Sequence, residues 1–264
     1  MKRPILALLV VATGACSTVN SALSGASDQA ARNAGASMVG SAGAPQGGAQ
    51  QASYGGGNMS MATMNPAFLN MYMSAIFTYA FSSGGYDVSP VPYTAGQYTR
   101  WNGMGHGDKT VTVERARLGD DAQGRQWWKV KFTDDQGRTT ILEGLLDPKQ
   151  NRFVRMRGKF PDDAEGNEMP VDESAWYHAP TRLSKESVEG ATKGIDTVTV
   201  PAGTFKAKHV VFGGAAGTHE WWLDGKVPGG TVKQIMKNPR SGDGVWEMQL
   251  AAYGGDAKSE LNSK

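Results

Sequence analysis

Residues 197–233 read TVTVPAGTFKAKHVVFGGAAGTHEWWLDGKVPGGTVK, and this stretch determines how the rest of the chain is interpreted. It contains two turns, Pro201-Ala202-Gly203 and Val227-Pro228-Gly229-Gly230, because proline fixes one backbone angle and glycine permits the positive φ that follows. The runs around these turns are rich in β-branched and aromatic residues, which is typical of short strands. Strands joined by such tight turns pair antiparallel. The stretch therefore predicts an antiparallel sheet.

The same signals recur along most of the chain. Short loops with Gly or Asp, such as 120–124 and 134–137, separate the apolar runs, so consecutive strands should be neighbours. A polar, acidic stretch from Pro161 to Thr181 interrupts the series and is expected to be a solvated loop. The predicted fold is mainly β, an open antiparallel sheet. Its predicted strands are Tyr98–Met104, Thr110–Leu118, Gln126–Thr133, Thr139–Leu146, Arg152–Lys159, Ser184–Glu189, Asp196–Val200, Phe205–Phe212, Glu220–Leu223, Thr231–Met236 and Val245–Tyr253.

Alternation along two of these strands divides the predicted sheet into an apolar and a polar face. Trp128, Val130 and Phe132 alternate with Trp127 and two lysines on one strand. Val154 and Met156 alternate with two arginines on another. Successive side chains of a strand lie on opposite faces, so one face should be wet and the other should be a packed core or an apolar cavity.

Residues 66–86 precede the sheet and are predicted to form an apolar helix. Asn65-Pro66 is typical of a helix start, with asparagine at the N-cap and proline in the first turn. The run 68–81, FLNMYMSAIFTYAF, is apolar on nearly all sides and includes Phe77. At about 1.5 Å per residue it is too short to cross a bilayer. Three roles stay open: a core helix packed on the sheet, a lid over an apolar cavity, and a contact with the membrane surface.

The N-terminus has the features of an export signal. Residues 1–16 read MKRPILALLVVATGAC, in which two basic residues precede an apolar core and then small residues. This pattern predicts a signal peptide over 1–15. Cys16 is the one cysteine of the chain, which excludes an intramolecular disulfide.

Gly14-Ala15-Cys16 resembles the lipobox of bacterial lipoproteins, in which the cysteine is acylated and becomes the new N-terminus. Thr13 stands where that motif usually has leucine. The resemblance implies a lipid anchor with palmitate at Cys16, and Ser17 resembles the pattern that sorts lipoproteins to the outer membrane. An ordinary secretory signal with an incidental cysteine is the alternative. Residues 16–65, rich in Gly, Ala, Ser and Met, are predicted to be a disordered, flexible linker behind that anchor.

Composition and motifs give no support for nucleic-acid binding, catalysis or metal binding. Once Lys2 and Arg3 leave with the signal peptide, 25 basic and 25 acidic residues remain, whereas nucleic-acid binders usually show a basic stripe. The histidines are far apart, without the spacing of a zinc site, and no GxSxG motif or nucleotide fingerprint is present. His209 is expected to be a strand histidine with satisfied hydrogen bonds. We therefore expect no enzymatic activity, no cofactor and no metal.

Three motifs carry a resemblance to a known family. GIDTVTVPAGTFKAKHVVF (194–212), EWWLDGKVPGGTVK (220–233) and QLAAYGG (249–255) are similar to motifs that recur in uncharacterised bacterial envelope proteins. The pattern resembles the wider lipoprotein-carrier (LolA/LolB-like) architecture, a curved half-barrel of about eleven strands with one or two helices covering its concave face. The resemblance covers residues 93–254. It implies a half-barrel domain over 87–254, followed by a polar tail over 255–264.

Two functions remain open at this point. An aromatic concave face suits an acyl chain or another apolar ligand, which is bound through buried area and few polar contacts. The first function is therefore a lipid-anchored envelope protein that binds or carries a lipid or a lipoprotein acyl chain. The second is a structural or interaction lipoprotein with a filled core and an envelope protein as partner. Either would be anchored in the outer membrane, with the domain facing the periplasm or exposed at the surface. The candidate ligand-binding residues are Phe77, Trp128, Val130, Phe132, Val154 and Met156.

Overall fold

Strands dominate the part of the chain that the computed structural model describes, which comprises residues 77, 80, 86–88, 91–104, 110–171, 181–214, 217–237 and 245–263. None of the helices within these residues is long and apolar enough to cross a membrane. The predicted signal peptide, Cys16, the linker and most of the predicted helix 66–86 lie outside the described residues. The elements are β1 Tyr86–Asp87, β2 Tyr98–Met104, β3 Thr110–Asp120, β4 Gln126–Thr133, β5 Thr139–Asp147, β6 Arg152–Lys159, β7 Asn167–Met169, β8 Thr181–Arg182, α1 Lys185–Gly190, β9 Thr192–Val200, β10 Gly203–Gly214, β11 Gly217–Leu223, β12 Thr231–Lys237 and β13 Val245–Gly254.

Eleven of the strands form one open antiparallel sheet, which confirms the predicted fold class. The strand order is β7-β6-β5-β4-β3-β2-β13-β12-β11-β10-β9, with β7 and β9 at the two edges. The chain thus makes two meanders, and the pairing of β13 with β2 joins them. The short strands β1 and β8 stand apart from this sheet and pair parallel to each other.

One predicted strand is wrong, and a different strand completes the eleven. Residues 184–189 were assigned to a strand, but Lys185–Gly190 forms helix α1. The Ser184 hydroxyl accepts a hydrogen bond from the Ser187 backbone N–H at 3.1 Å and caps the helix start, an interaction that outweighs a weak strand pattern. The missing strand is β7, inside the predicted acidic loop, where Met169 pairs with Met156 and is buried. The other ten predicted strands are present.

The β9–β10 turn shows that the sheet is strongly bent. The backbone N–H of Ala202, in the Pro201-Ala202-Gly203 turn, donates a hydrogen bond to the carbonyl of Leu250 on β13 at 3.0 Å. Strands β11 and β12 lie between β10 and β13 in the sheet, so a flat sheet would separate β10 from β13 by about 14 Å. A register shift follows Leu250 in the β13–β2 pairing, and such bulges increase the local twist. The Pro201-Ala202-Gly203 turn therefore contacts strand β13 across the bend of the sheet.

The strands β2 to β6 have two distinct faces, which we call inner and outer. The inner face carries apolar residues of the largest core cluster, including Trp101, Val113, Val130, Leu142 and Met156. The outer face carries a row of charged residues on adjacent strands, Arg100, Glu114, Lys129, Glu143 and Arg157.

Residues 255–263, which the sequence indicates only as a polar tail, are docked on the outer face. Leu261 and Ser263 of this tail are buried. The Glu260 carboxylate forms ion pairs with Lys129 at 2.7 Å and with Lys131 at 2.8 Å. Burial would raise the pKa of Glu260, but the hydrogen bonds from these two lysines hold it below its ordinary value of 4.5. The tail is therefore fixed partly by charge.

We predict that the stabilisation by Glu260 is lost in acid. A carboxyl group with a lowered pKa in the folded protein stabilises the fold above its unfolded pKa, and this contribution disappears as the pH falls through the lowered value. Glu260→Gln should lower the free energy of unfolding by about 1 kcal/mol at neutral pH, because solvent screens the Glu260 carboxylate, whose side chain is 34% exposed. Denaturant unfolding of both proteins from pH 7 to pH 3 should show the difference shrink as the pH falls below 4.5 and vanish once the pH is below the lowered pKa. Glu189→Gln, an exposed carboxyl on α1, is the control, and an equal effect of both changes at every pH would contradict the prediction.

Candidate functional site

The structure brings five of the six candidate ligand-binding residues together on the inner face. Phe77, Val130, Phe132 and Met156 belong to one core cluster, and the partly buried Trp128 packs against it. Val130 and Phe77 have no exposed surface at all, and Met156 is 2% exposed. The predicted alternation along β4 is thus correct, since Trp127 belongs to a separate cluster. The inner face is apolar, and its residues are buried in a cluster that includes Phe77.

The sixth residue, Val154, lies on the other side of the sheet. The β5–β6 pairing shifts register so that Leu145 is opposite Arg155 but Leu146 is opposite Phe153, which leaves Val154 as an extra residue. Such a bulge reverses the alternation beyond it. Val154 accordingly packs with Leu145 and Trp127, while Phe153 takes the inner position. The assignment of Val154 to the ligand-binding face was therefore wrong.

Phe77 fills the space against the inner face. Both Phe77 and Ala80 are helical and buried. The Phe77 ring lies 4.5 Å from the Phe153 ring, centroid to centroid, at an interplanar angle of 50°. Gly144 makes this fit possible, because a Cβ at that position would lie 2.7 Å from the Phe153 ring and 3.2 Å from Phe77 Cζ. A residue from outside the sheet thus occupies the apolar face.

A buried arginine ties Ala80 to the sheet. Arg115 on β3 donates from Nη1 to the carbonyl of Ala80 at 2.8 Å, and from Nε to the Tyr93 hydroxyl at 2.5 Å. Its guanidinium also lies over the ring of Trp101, with Cζ 4.5 Å from the centroid, an arrangement that stabilises a desolvated cation. Burial raises the pKa of Tyr93, so the phenol stays neutral. The sequence did not indicate that Arg115 is buried, because an arginine within a strand usually marks a solvent-exposed face.

The second sequence turn shapes this arginine site. Gly229 has a φ of 73°, and a Cβ there would lie 2.7 Å from both Arg115 Nη2 and the Tyr93 ring. Its N–H also donates to the carbonyl of Val91 at 3.0 Å. A glycine is therefore required at this position both for its conformation and for the close approach of Arg115. The VPGG motif contributes to the site as well as to the hairpin.

A second polar cluster lies between β9 and β11. His209 stacks on Trp222 with ring centroids 4.4 Å apart, and its Nδ1 and Nε2 lie 3.1 Å from Asp196 and 3.2 Å from Glu220. The prediction that this histidine is satisfied is confirmed. Both ring nitrogens therefore face carboxylates of this chain. A hydrogen bond from Lys237 is the main reason that the pKa of Glu220 is lowered.

An open groove lies beside this cluster. It has a volume of about 580 Å³ and is lined by β9 together with Trp222 and Lys233. The Trp222 indole N–H donates to Asp196 at 2.9 Å, and the Lys233 ammonium lies over the indole, 5.4 Å from its centroid. The Trp222 ring is thus held in place by Asp196 and Lys233 of the same chain. The groove presents mainly the polar residues of β9 to solvent.

The comparisons with known proteins yield distant neighbours among the solved structures, and two of them are given below. No protein-family model matches the chain, and no curated protein is significantly similar to it. A solved complex of MucA and MucB from Pseudomonas aeruginosa matches with a TM-score of 0.36 and 14% identity over 64% of this chain and 55% of that chain. A putative exported protein with a YmcC-like fold from Bacteroides fragilis matches with a TM-score of 0.30 and 13% identity, over 62% of this chain and 98% of that one. The first match thus spans just over half of the neighbour's length. Scores this low do not establish a shared fold or function, so the function is argued from the residues of this chain.

We predict that the inner face cannot accommodate even one added methyl group at its centre. Gly144→Ala should lower the free energy of unfolding by about 1–3 kcal/mol, because the new Cβ would overlap the packed Phe153 ring. Gly213→Ala is the matched control, since it also lies in a strand but a Cβ there would meet no atom within 4 Å. Denaturant unfolding of the three proteins measures the difference. Equal stability of both variants would mean that the inner face is loosely packed.

Proposed function

We propose that this protein is a non-catalytic, lipid-anchored protein of the cell envelope whose sheet domain acts by binding another protein. The observation that carries the proposal is the occupied inner face, where Phe77 is completely buried against the sheet. A core filled by the chain's own side chains favours an interaction module over a carrier with an empty cavity. The engaged His209 ring also supports a role without catalysis.

The location in the envelope is inferred from the first residues. The signal-like residues 1–15 and the lipobox-like Gly14-Ala15-Cys16 support export and acylation at Cys16. Ser17 favours the outer membrane, and the linker 16–65 would let the domain stand away from the bilayer. A diacylated cysteine is a stable anchor because more than one chain is buried in lipid.

The anchor is tested by changing the single cysteine. Cys16→Ser should abolish incorporation of radioactive palmitate and move the protein from the membrane fraction to the soluble periplasmic fraction. Ser21→Ala, a few residues downstream, should change neither. The measurement is palmitate labelling of whole cells, followed by fractionation and immunoblotting. Membrane retention of the Cys16→Ser protein would contradict lipid anchoring.

An apolar ligand, such as a lipid or a lipoprotein acyl chain, is the second candidate. It is favoured by one observation: Phe77 and Ala80 come from a segment outside the sheet, and Arg115 holds this segment through a carbonyl, so the segment is a separate cover over an apolar surface. A ligand would replace Phe77 against Phe132 and Met156. The resemblance to lipoprotein carriers also supports this candidate.

The two candidates are separated by what the domain retains on purification. Native mass spectrometry of the intact protein should show the acylated chain without any non-covalently bound lipid if the core is filled. Phe77→Ala should then create a cavity and lower the free energy of unfolding by about 3–5 kcal/mol. Lipid that co-purifies with the wild-type protein, and that exchanges for added phospholipid, would instead establish the carrier function.

A further inference from the structure

The C-terminal tail is held by the outer face without joining the sheet. Residues 255–263 follow β13 and form neither helix nor strand. The contacts that hold them come mainly from side chains of β4, β5 and β6 to the backbone and side chains of the tail. In peptide recognition, hydrogen bonds to the main chain give affinity and pockets for side chains give specificity.

Glu143 lies at the centre of this surface. Its side chain is completely buried, and its carboxylate accepts hydrogen bonds from the Ser259 hydroxyl at 2.6 Å, the Glu260 N–H at 2.6 Å and the Leu261 N–H at 3.3 Å. The two N–H donors are successive main-chain groups, and both reach the carboxylate because the backbone is bent at Glu260 and Leu261. The hydroxyl adds a preference for serine or threonine at the first position.

Two lysines determine the second position. Lys129 and Lys131 both contact the Glu260 carboxylate, and the ammonium group of Lys129 also pairs with Glu114 at 3.0 Å. Burial would lower the pKa of Lys129, but its hydrogen bonds to Glu260 and Glu114 raise it above the ordinary value, so the ammonium stays charged. An acidic residue is the side chain that complements this pair of cations.

A small apolar socket and an arginine determine the third position. Leu261 is 3% exposed and lies against Gly166, where a Cβ would come within 2.7 Å of Leu261 Cδ2. Arg157 donates to the carbonyls of Leu261 and Asn262, and also to that of Gly166 at 2.7 Å. The socket therefore accepts an aliphatic side chain, and Arg157 holds the main chain on either side of it.

We infer that this surface, formed by Lys129, Lys131, Glu143, Arg157 and Gly166 and called here the tail site, is a peptide-recognition site. Its ligand class is a short bent segment with a hydroxyl residue, an acidic residue and an aliphatic residue in succession. In this chain the tail supplies the segment in cis, as Ser259-Glu260-Leu261. In trans the segment belongs to a partner protein, which displaces the tail.

The buried Glu143 carboxylate gives the reason for selectivity. If the tail simply left, this carboxylate would exchange three hydrogen bonds from the protein for hydrogen bonds to water, because the tail is the segment that covers it. A peptide of the same chemistry restores those bonds as it displaces the tail. Exchange is thus favoured over release, and a segment without an acidic or hydroxyl residue would be rejected.

The test uses the full chain and a labelled synthetic peptide of residues 255–264, GDAKSELNSK. Fluorescence anisotropy measures its binding to the Cys16→Ser protein, to the same protein with its own tail weakened by Ser259→Ala and Leu261→Ser, and to the weakened protein that also carries Glu143→Gln. A tethered tail competes at an effective concentration of the order of millimolar. Weakening the tail should therefore increase the affinity for the peptide at least about tenfold. Glu143→Gln should reduce binding to the level of a scrambled peptide, and a peptide with lysine in place of Glu260 should bind no better than the scramble.

A second measurement covers the case in which the weakened proteins do not fold. In the protein with its natural tail, saturating peptide should accelerate amide hydrogen exchange at Glu260 and Leu261, because the displaced tail loses its acceptor. Unchanged exchange, or equal peptide affinity of the intact and the tail-weakened proteins, would show that the tail is a permanent structural cover and overturn the inference. A concentration-dependent dimer of the intact chain that the peptide dissociates would identify a second copy as the occupant, and would overturn the assignment to a partner protein.

Discussion

An open sheet has two faces and two edges, and the need to cover both faces explains most of this structure. The inner face is apolar, and Phe77 covers part of it, with its ring packed against Phe153. The outer face carries buried charges and is closed by the C-terminal tail. Neither cover belongs to the sheet, since one precedes it in the chain and the other follows it. The fold is therefore complete only when both ends of the domain have docked.

The two covers differ in the physical interactions that hold them. Apolar packing holds Phe77, with the hydrogen bond from Arg115 to Ala80 as a polar addition. On the outer face, Glu143 lies opposite Lys129 on one neighbouring strand and opposite Arg157 on the other. Buried ions of this kind stabilise a fold only if their remaining hydrogen-bonding positions are satisfied. The tail satisfies them, which makes the outer face selective for what lies on it.

The sequence predicted the sheet well because the signals for strands and tight turns are local. Alternation on β4 placed Trp128, Val130 and Phe132 on the correct face, and the two proline–glycine turns were found where expected. Val154 was misplaced because a bulge depends on the pairing of two strands and leaves no mark within one of them. Helix α1 was missed because the cap of Ser184 is a single hydrogen bond within a weakly patterned segment.

The candidate site was predictable only in its apolar part. Arg115 and Glu143 occupy strand positions at which charged residues usually face water, and each is buried by a segment distant in sequence: Arg115 lies 35 residues from Ala80, and Glu143 lies 116 residues from Ser259. No local sequence pattern encodes contacts between segments that lie so far apart in the chain. The composition of residues 255–264 indicated only a polar tail for the same reason, because a polar segment packs only where the surface beneath it is also polar or charged.

The edge strand β9 affects whether copies of the protein aggregate when they are crowded together. Ile195 on this strand exposes 74% of its surface, and an uncovered edge with an apolar residue is a template on which foreign strands add and fibrils begin. Lys193 and Asp196 lie beside it, and both are exposed. Burying either charge in a growing intermolecular ladder would be unfavourable. Among the described residues, these two charges therefore disfavour the addition of foreign strands at the β9 edge.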